Sequence, residues 1–453
     1  MLEALPYQWG LVIASSLVLF FISPWARTIP QFFRATNSQE QKPNALLLTS
    51  SLVISWIFAK SITNAANLGL SFGFVGGLAY ATYYLSFLVA GIILYRMRVK
   101  GSFQSIHDFL SQRFGAPAII IFSLLIGFRL FNEVWSNTMV IGSYFGPKDS
   151  GAYYLAIGVF TTLTLAYSLK GGMRSALLTD LIQMALFGVL LFIILGVLLP
   201  RRGGDIGVFV STGEWTMVGG LNLLFVALIQ VFSYPFHDPV LTDRAFISTP
   251  KTTLWSFIAA TFIGGICILL FSFVGIYAQQ EGLSGQAPFE VGKTLGFSMM
   301  LIMNFIMITS AASTLDSAFA AFSKLTCIDL GSPETLSLYR GRISMAIIAI
   351  AGTVPVFLSP TILSATTISG TMVIGLAPVF LFWNWKMPPL SFYLSIGGGI
   401  IMGILLATGL FPQEWTWFEG KYGDLLSVNI IGSILCFALF FLPKLLFSPR
   451  EAH

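Results

Sequence analysis

Charge is what this sequence has least of. Of 453 residues only 9% are Asp, Glu, Lys or Arg, against 56% hydrophobic. Soluble chains carry about 25% charged residues, so a water-soluble globular protein is excluded. Cysteine is almost missing as well. Cys267, Cys327 and Cys436 are too few and too scattered for a disulfide framework or a metal site. His107, His237 and His453 form no zinc motif. Low-complexity linkers are lacking, and the longest gaps between apolar runs, Pro200–Met217 and Gly331–Arg342, are loop-sized. Residues 1–453 therefore read as a single integral domain. No cleavable signal peptide is expected, because the first apolar run has neither a basic region before it nor a clear small-residue cleavage site. The formal charge of +5 reads as membrane topology, and no nucleic-acid partner is expected.

What is abundant is apolar runs of about 20 residues, repeated from end to end. Only helices and closed barrels span a bilayer, and runs of this length mean helices. The fold class is an all-α polytopic membrane protein with about 13 transmembrane helices. The spans are Tyr7–Trp25, Ala45–Leu70, Gly73–Tyr95, Ala116–Tyr144, Tyr153–Leu169, Ala176–Leu199, Val218–Phe236, Leu254–Tyr277, Thr294–Leu325, Ile343–Leu358, Ile362–Trp383, Leu390–Leu410 and Leu425–Phe447. An odd count puts the termini on opposite sides. Of the 24 Lys and Arg, seventeen fall on one side, five on the other and two, Lys60 and Arg129, inside spans. The positive-inside rule then places the N-terminus outside and the C-terminus inside, across a plasma (inner) membrane.

The ninth span carries the most polar stretch, Thr309-Ser310-Ala311-Ala312-Ser313-Thr314-Leu315-Asp316-Ser317. Ser310, Ser313, Thr314 and Ser317 recur at helical i, i+3, i+4, i+7 spacing and share one face. Such hydroxyls are hard ligands for a hard cation, or they back-bond to their own helix. Asp316 is a carboxylate at membrane depth, where ionisable groups mark ion or substrate pathways. The second span is interrupted near its middle, at Ser55-Trp56-Ile57-Phe58-Ala59-Lys60, and Lys60, Asn64 and Asn67 share a face. Discontinuous transporter helices use unwound backbone at such places to coordinate ions. The fourth span holds Arg129 and Glu133 at i, i+4, either an ion pair or a substrate contact. Gly171-Gly172 alone reads as a tight turn, and Asp243-Arg244 as an interfacial pair.

Taken together, four segments resemble the sodium:solute symporter family, which includes sodium–sugar, proline, sialic acid and urea symporters. They are Gln31-Phe32-Phe33-Arg34-Ala35, Gly171-Gly172 through Thr179-Asp180 to Gln183, Asp238 through Arg244, and Ser310 through Asp329. The resemblance implies a leucine-transporter-like fold of two inverted five-helix repeats, residues 45–199 and 218–383, with flanking helices. It implies sodium as the coupling ion, a small-molecule substrate and no enzymatic activity. By position, the main sodium site takes the Ile54, Ile57 and Ser310 carbonyls and the Ser313 and Thr314 hydroxyls. A second cation site takes Asp180 with Asp316 and Ser317. Asp316 departs from the family's hydroxyl there, which leaves a stronger cation site, a proton site, or a pairing with Lys60 or Arg129 open. The substrate candidates are Lys60, Asn64, Tyr80, Arg129, Glu133 and Asp238.

Two cations in spans with one obvious local partner, Glu133, favour a substrate bearing a carboxylate, such as an amino acid. The alternatives are a urea or other neutral-solute symporter, a proton-coupled or sodium-independent carrier, and a sensory membrane domain. The sequence gives no oligomeric state.

Overall fold

The computed structural model describes residues 5–358 and 370–447. Among them every regular element is a helix. Ten stretches are long and apolar enough to cross a membrane, and Ala59–Lys100 carries more than one crossing's length. Span two is broken between Trp56 and Ala59, and span seven between Gln230 and Tyr234. The eleventh span, Ile362–Trp383, lies outside the described residues up to residue 369.

In order, the elements are α1 (Leu5–Ile22), α2 (Ile29–Arg34), α3 (Ala45–Trp56), α4 (Ala59–Thr82), α5 (Leu85–Lys100), α6 (Ile106–Phe114), α7 (Ala116–Phe145), α8 (Gly151–Gly171) and α9 (Met173–Leu198). After them come α10 (Gly207–Val210), α11 (Asn222–Gln230), α12 (Pro239–Arg244), α13 (Pro250–Gln280), α14 (Ala287–Thr294), α15 (Phe297–Lys324) and α16 (Leu338–Thr353). Helices Pro389–Thr408 and Gly423–Phe447 pack on each other at the C-terminal end.

The second span breaks at Ile57, whose ψ of 58° ends α3, and Phe58, whose ψ of 162° precedes α4. In lipid a broken ladder is tolerated only where neighbours satisfy the freed groups. Here the Tyr84 hydroxyl donates to the Trp56 carbonyl at 2.8 Å, and the Lys60 amide donates to Asn137 Oδ1 at 3.4 Å. The last cap bond runs from Ile57 to Val53, so the Ile54 and Ile57 carbonyls fall outside the helical ladder. Spans two and three meet at Gly73, with φ 60° and ψ −145° inside α4.

The seventh span stops at Gln230 because Pro235 and Pro239 cannot donate to a ladder. Asp238 restarts it, accepting from the amides of Val240 at 3.0 Å and Leu241 at 3.3 Å as the N-cap of α12. The main helix contact is α4 on α13. Small residues bring the two backbones together, and a Cβ on Gly275 would lie 1.7 Å from the Ala66 carbonyl oxygen. Gly172 is more than a turn. At φ 57° it lets α9 approach α2, where a Cβ would meet the Phe32 carbonyl at 2.5 Å.

Candidate functional site

Both breaks face α15, and the polar residues of five elements meet there. Ser313 Oγ donates to Asp180 Oδ1 at 2.5 Å, and Thr314 Oγ1 back-bonds to the Ser310 carbonyl at 3.0 Å. Ser55 Oγ on α3 lies 3.4 Å from Ser317 Oγ on α15. The hydroxyl face of α15 therefore sits against the broken end of α3, where Ile54 and Ile57 release their carbonyls. Ser310, Ser313, Thr314 and Ser317 are all buried. Back-bonding and ligation are compatible at Thr314, since a hydroxyl that donates to its own helix keeps its lone pairs for a cation.

Asp180 on α9 is fully buried, and its Oδ2 accepts from Ser51 Oγ and from Arg244 Nη2 at 3.2 Å. Asp316 accepts from Thr179 Oγ1 at 2.7 Å through Oδ2, while its buried Oδ1 has no hydrogen-bond partner. Tyr167 stands beside it and donates its hydroxyl to the Ala312 carbonyl at 3.3 Å. Asp316 thus lies with Asp180 and away from Lys60 and Arg129. Asp243 and Arg244, read from sequence as a pair, separate. Arg244 turns to Asp180, and Asp243 pairs with Lys324 at 2.7 Å.

A second ion cluster lies on the other side of the Ile57 break. Lys60 Nζ donates to Glu133 Oε1 at 2.8 Å, and Arg129 Nη1 pairs with the same oxygen. Arg129 Nη2 also reaches Asp238 Oδ2 at 3.2 Å, which accepts from Trp56 Nε1 at 2.9 Å. Asn137 Nδ2 donates to Glu133 Oε2 at 3.0 Å. The cluster holds two cations and two carboxylates, so the expectation that Glu133 stands alone against them is corrected. Asp238 is the second partner, and its capping of α12 explains why it faces inward.

Beside this cluster is a cavity of about 50 Å³. Its wall is Trp56, Phe58, Ser61, Asn64, Tyr80, Tyr83, Tyr84, Gln230 and Tyr234, with Leu68, Leu223 and Tyr422. Of the predicted substrate residues, Asn64 and Tyr80 line it, while Lys60, Arg129, Glu133 and Asp238 do not. The Tyr80 hydroxyl donates to Ser61 Oγ at 3.1 Å and meets Asn64 Nδ2 at 3.5 Å. Tyr83, Tyr84, Gln230 and Tyr234 were missed. The signal for Tyr83 and Tyr84 was their i, i+3, i+4 spacing from Tyr80, while Gln230 and Tyr234 gave none because the helix stops between them. Asn67 serves elsewhere, its Oδ1 accepting from the Ala287 amide at 2.9 Å.

Two larger cavities are also present, one of them adjoining the small one. One, about 470 Å³, shares Asn64 and Tyr422 with it and extends past Lys60 to Lys148 and Lys421. The other, about 620 Å³, is lined by Arg98, His107, Asp243, Lys324 and Asp329. There Lys324 is bonded to both Asp243 and Asp329. Burial pushes His107 down to about 4, so its 3.6 Å approach to Asp329 joins a neutral imidazole to a carboxylate.

No family model matches the chain. It is similar to mouse sodium/glucose cotransporter 1, 24% identical over 207 residues, and to human sodium/glucose cotransporter 4, 25% identical over 205. These matches cover 43% and 42% of this chain but only 30% and 29% of the relatives' own length. Its fold is similar to that of a Na+-coupled sialic acid symporter in a substrate-bound outward-open state. There the TM-score is 0.72 at 17% identity, covering 98% of this chain and 97% of that one. It is also similar to Mhp1, a nucleobase-cation-symport-1 family transporter, with a TM-score of 0.57 at 11% identity over 95% and 97% of the two chains.

Proposed function

We propose, from the premise that this chain shares its fold and its ordered motifs with the sodium:solute symporters, that it is a secondary transporter coupling sodium entry to uptake of a small neutral polar solute. The single observation that carries the solute class is the wall of the small cavity. It consists of aromatic rings, two leucines, two carboxamides and a serine, with no ionised side chain among them. Buried polar groups reject a solute that leaves them unpaired, and a carboxylate here would meet no cation. A site built this way favours a neutral solute with both donors and acceptors over the carboxylate that the sequence alone favours.

Size points the same way. The cavity is much smaller than those reaching Lys148 and Lys324, about 50 Å³ against about 470 and 620 Å³, which favours a small solute. Urea and simple amides have that size and chemistry.

The main sodium site would be the Ile54, Ile57 and Ser310 carbonyls with the Ser313 and Thr314 hydroxyls, supported by the juxtaposition of the α3 break and the α15 hydroxyl face. Trp56, in the same break, has its ring on the solute cavity. Ion and solute would therefore stabilise one arrangement of the break, and each would raise the other's affinity. The two repeats, 45–199 and 218–383, each open with a broken span, which supports their pairing in this proposal. The seventeen-to-five charge asymmetry supports an N-terminus outside the plasma (inner) membrane.

Uptake of labelled urea and acetamide into proteoliposomes tests the reading. Accumulation that needs inward sodium and resists competition by amino acids is expected. Competition by amino acids and not by urea would return the carboxylate class.

A further inference from the structure

The hydrogen-bonding groups around the small cavity are not evenly divided between donors and acceptors. We propose that Asn429 sets this balance: by orienting the Gln230 carboxamide it makes the cavity present acceptors, so that the solute is selected by its N–H groups. This deepens the small-solute reading and rests on it.

Asn429 is buried on the Gly423–Phe447 helix, which follows both proposed repeats. Its Nδ2 donates to the Leu425 carbonyl at 2.8 Å and to Thr371 Oγ1 at 3.3 Å. A carbonyl only accepts, so the amide nitrogen is held on that side and Oδ1 is left for Gln230. Oδ1 can itself only accept, and Gln230 meets it with Nε2 at 2.8 Å. The Gln230 oxygen is thereby turned to Tyr83, whose hydroxyl donates to Oε1 at 2.9 Å. Reversing the carboxamide would set two oxygens against each other at Asn429 and leave buried polar atoms unpaired. Gln230 is the last residue of α11, so the break in the seventh span leaves this carboxamide at the cavity wall.

The rest of the wall leans the same way. Tyr83 gives its one proton to Gln230, Tyr80 gives its proton to Ser61 Oγ at 3.1 Å, and Tyr84 gives its proton to the Trp56 carbonyl at 2.8 Å. Trp56 spends its indole proton on Asp238 at 2.9 Å. The tyrosine oxygens and Gln230 Oε1 keep lone pairs for a solute. Ser61, Asn64 and Tyr234 can still offer a proton to a solute carbonyl. Several N–H groups around one carbonyl match such a wall, and a carbonyl alone does not.

Acetamide and acetone separate the two cases, because they have nearly the same shape and acetone carries a methyl in place of the NH2 group. Each is run as a competitor of sodium-driven uptake of labelled urea into proteoliposomes. On the wild type acetamide should inhibit at a concentration at least about tenfold lower than acetone, since a site built to bond an N–H rejects the analogue lacking it. In Asn429→Leu the Gln230 carboxamide is free to reverse, and the ratio should fall toward one. Gln230→Met removes the acceptor and should lower the ratio likewise, and the double variant should add little, because Asn429 acts through Gln230. A merely structural Asn429 would change the amount of active transporter and leave the ratio alone. Asn429→Ser, a smaller change that also withdraws the acceptor from Gln230, serves where the leucine variant does not fold. Equal inhibition on the wild type, or an undiminished ratio in a folded Asn429 variant, overturns the assignment. Sodium-driven urea uptake with either of those results leaves the small-solute reading standing and removes only the role of Asn429. No urea uptake removes both.

Discussion

Asp316 is the buried carboxylate of this core with no cationic side chain bonded to it. A negative charge within a helical turn or two of the proposed sodium ligands strengthens cation binding by Coulomb attraction in a poorly solvated setting. Asp316→Asn should therefore raise the sodium concentration for half-maximal uptake about tenfold or more, a loss of at least about 1.4 kcal/mol, while the protein still folds. Thr314→Ala and Ser313→Ala should each do the same by removing a ligand from a dry site. Sodium titration of uptake checks all three, and unchanged activation in the two hydroxyl variants would refute the site. His107 gives a pH prediction. Its folded value of about 4 lies below the ordinary 6.5, so the unfolded state takes its proton first as pH falls. The stability it contributes is full above about 6.5 and is lost as pH drops toward 4. His107→Gln should flatten the thermal midpoint's decline across that window relative to wild type. Individual residues were partly legible in the sequence. Asn64 and the α15 hydroxyls could be found because helical spacing puts each on a polar face, whereas Tyr80 and Asp180 came only from the family resemblance. The Arg129–Glu133 pair was legible at i, i+4, but Lys60 with Glu133, Arg129 with Asp238 and Arg244 with Asp180 were not, because those pairs join segments 64 to 109 residues apart.

At the scale of elements, the two breaks organise everything else. Polar residues mid-span announced the first, and its consequence for Ile54 and Ile57 followed from the loss of the ladder. The second was read as an unbroken span, Val218–Phe236, because its apolar composition masks Pro235, and α12 was not anticipated. Asp238 caps α12 because Pro239 follows it at the first helical position. Tight packing supports both breaks. Gly275 on α13 lies so close to Ala66 on α4 that Gly275→Ala forces the helices apart, and interior overpacking of this kind typically costs about 1–3 kcal/mol. That variant should show a lower thermal midpoint in detergent and reduced uptake with an unaltered sodium half-activation. An unshifted midpoint would mean that the helices separate freely.

At the scale of the molecule, composition alone specified a polytopic helical protein, because nothing else buries so little charge in so many apolar runs. The number of spans was less legible, since a broken span and an unbroken one have the same composition. A large cavity adjoins the small solute chamber and extends past Lys60 to Lys148 and Lys421, and another is lined by Asp243, Lys324 and Asp329. The account stands on sodium driving a small neutral solute through that chamber. The most direct measurement is labelled urea uptake into proteoliposomes holding purified protein, with external sodium or external potassium and the membrane potential clamped. Accumulation above the external concentration in sodium, and none in potassium, is the expected result. Equal uptake in the two salts, or no urea uptake alongside sodium-driven uptake of a carboxylate, would contradict it.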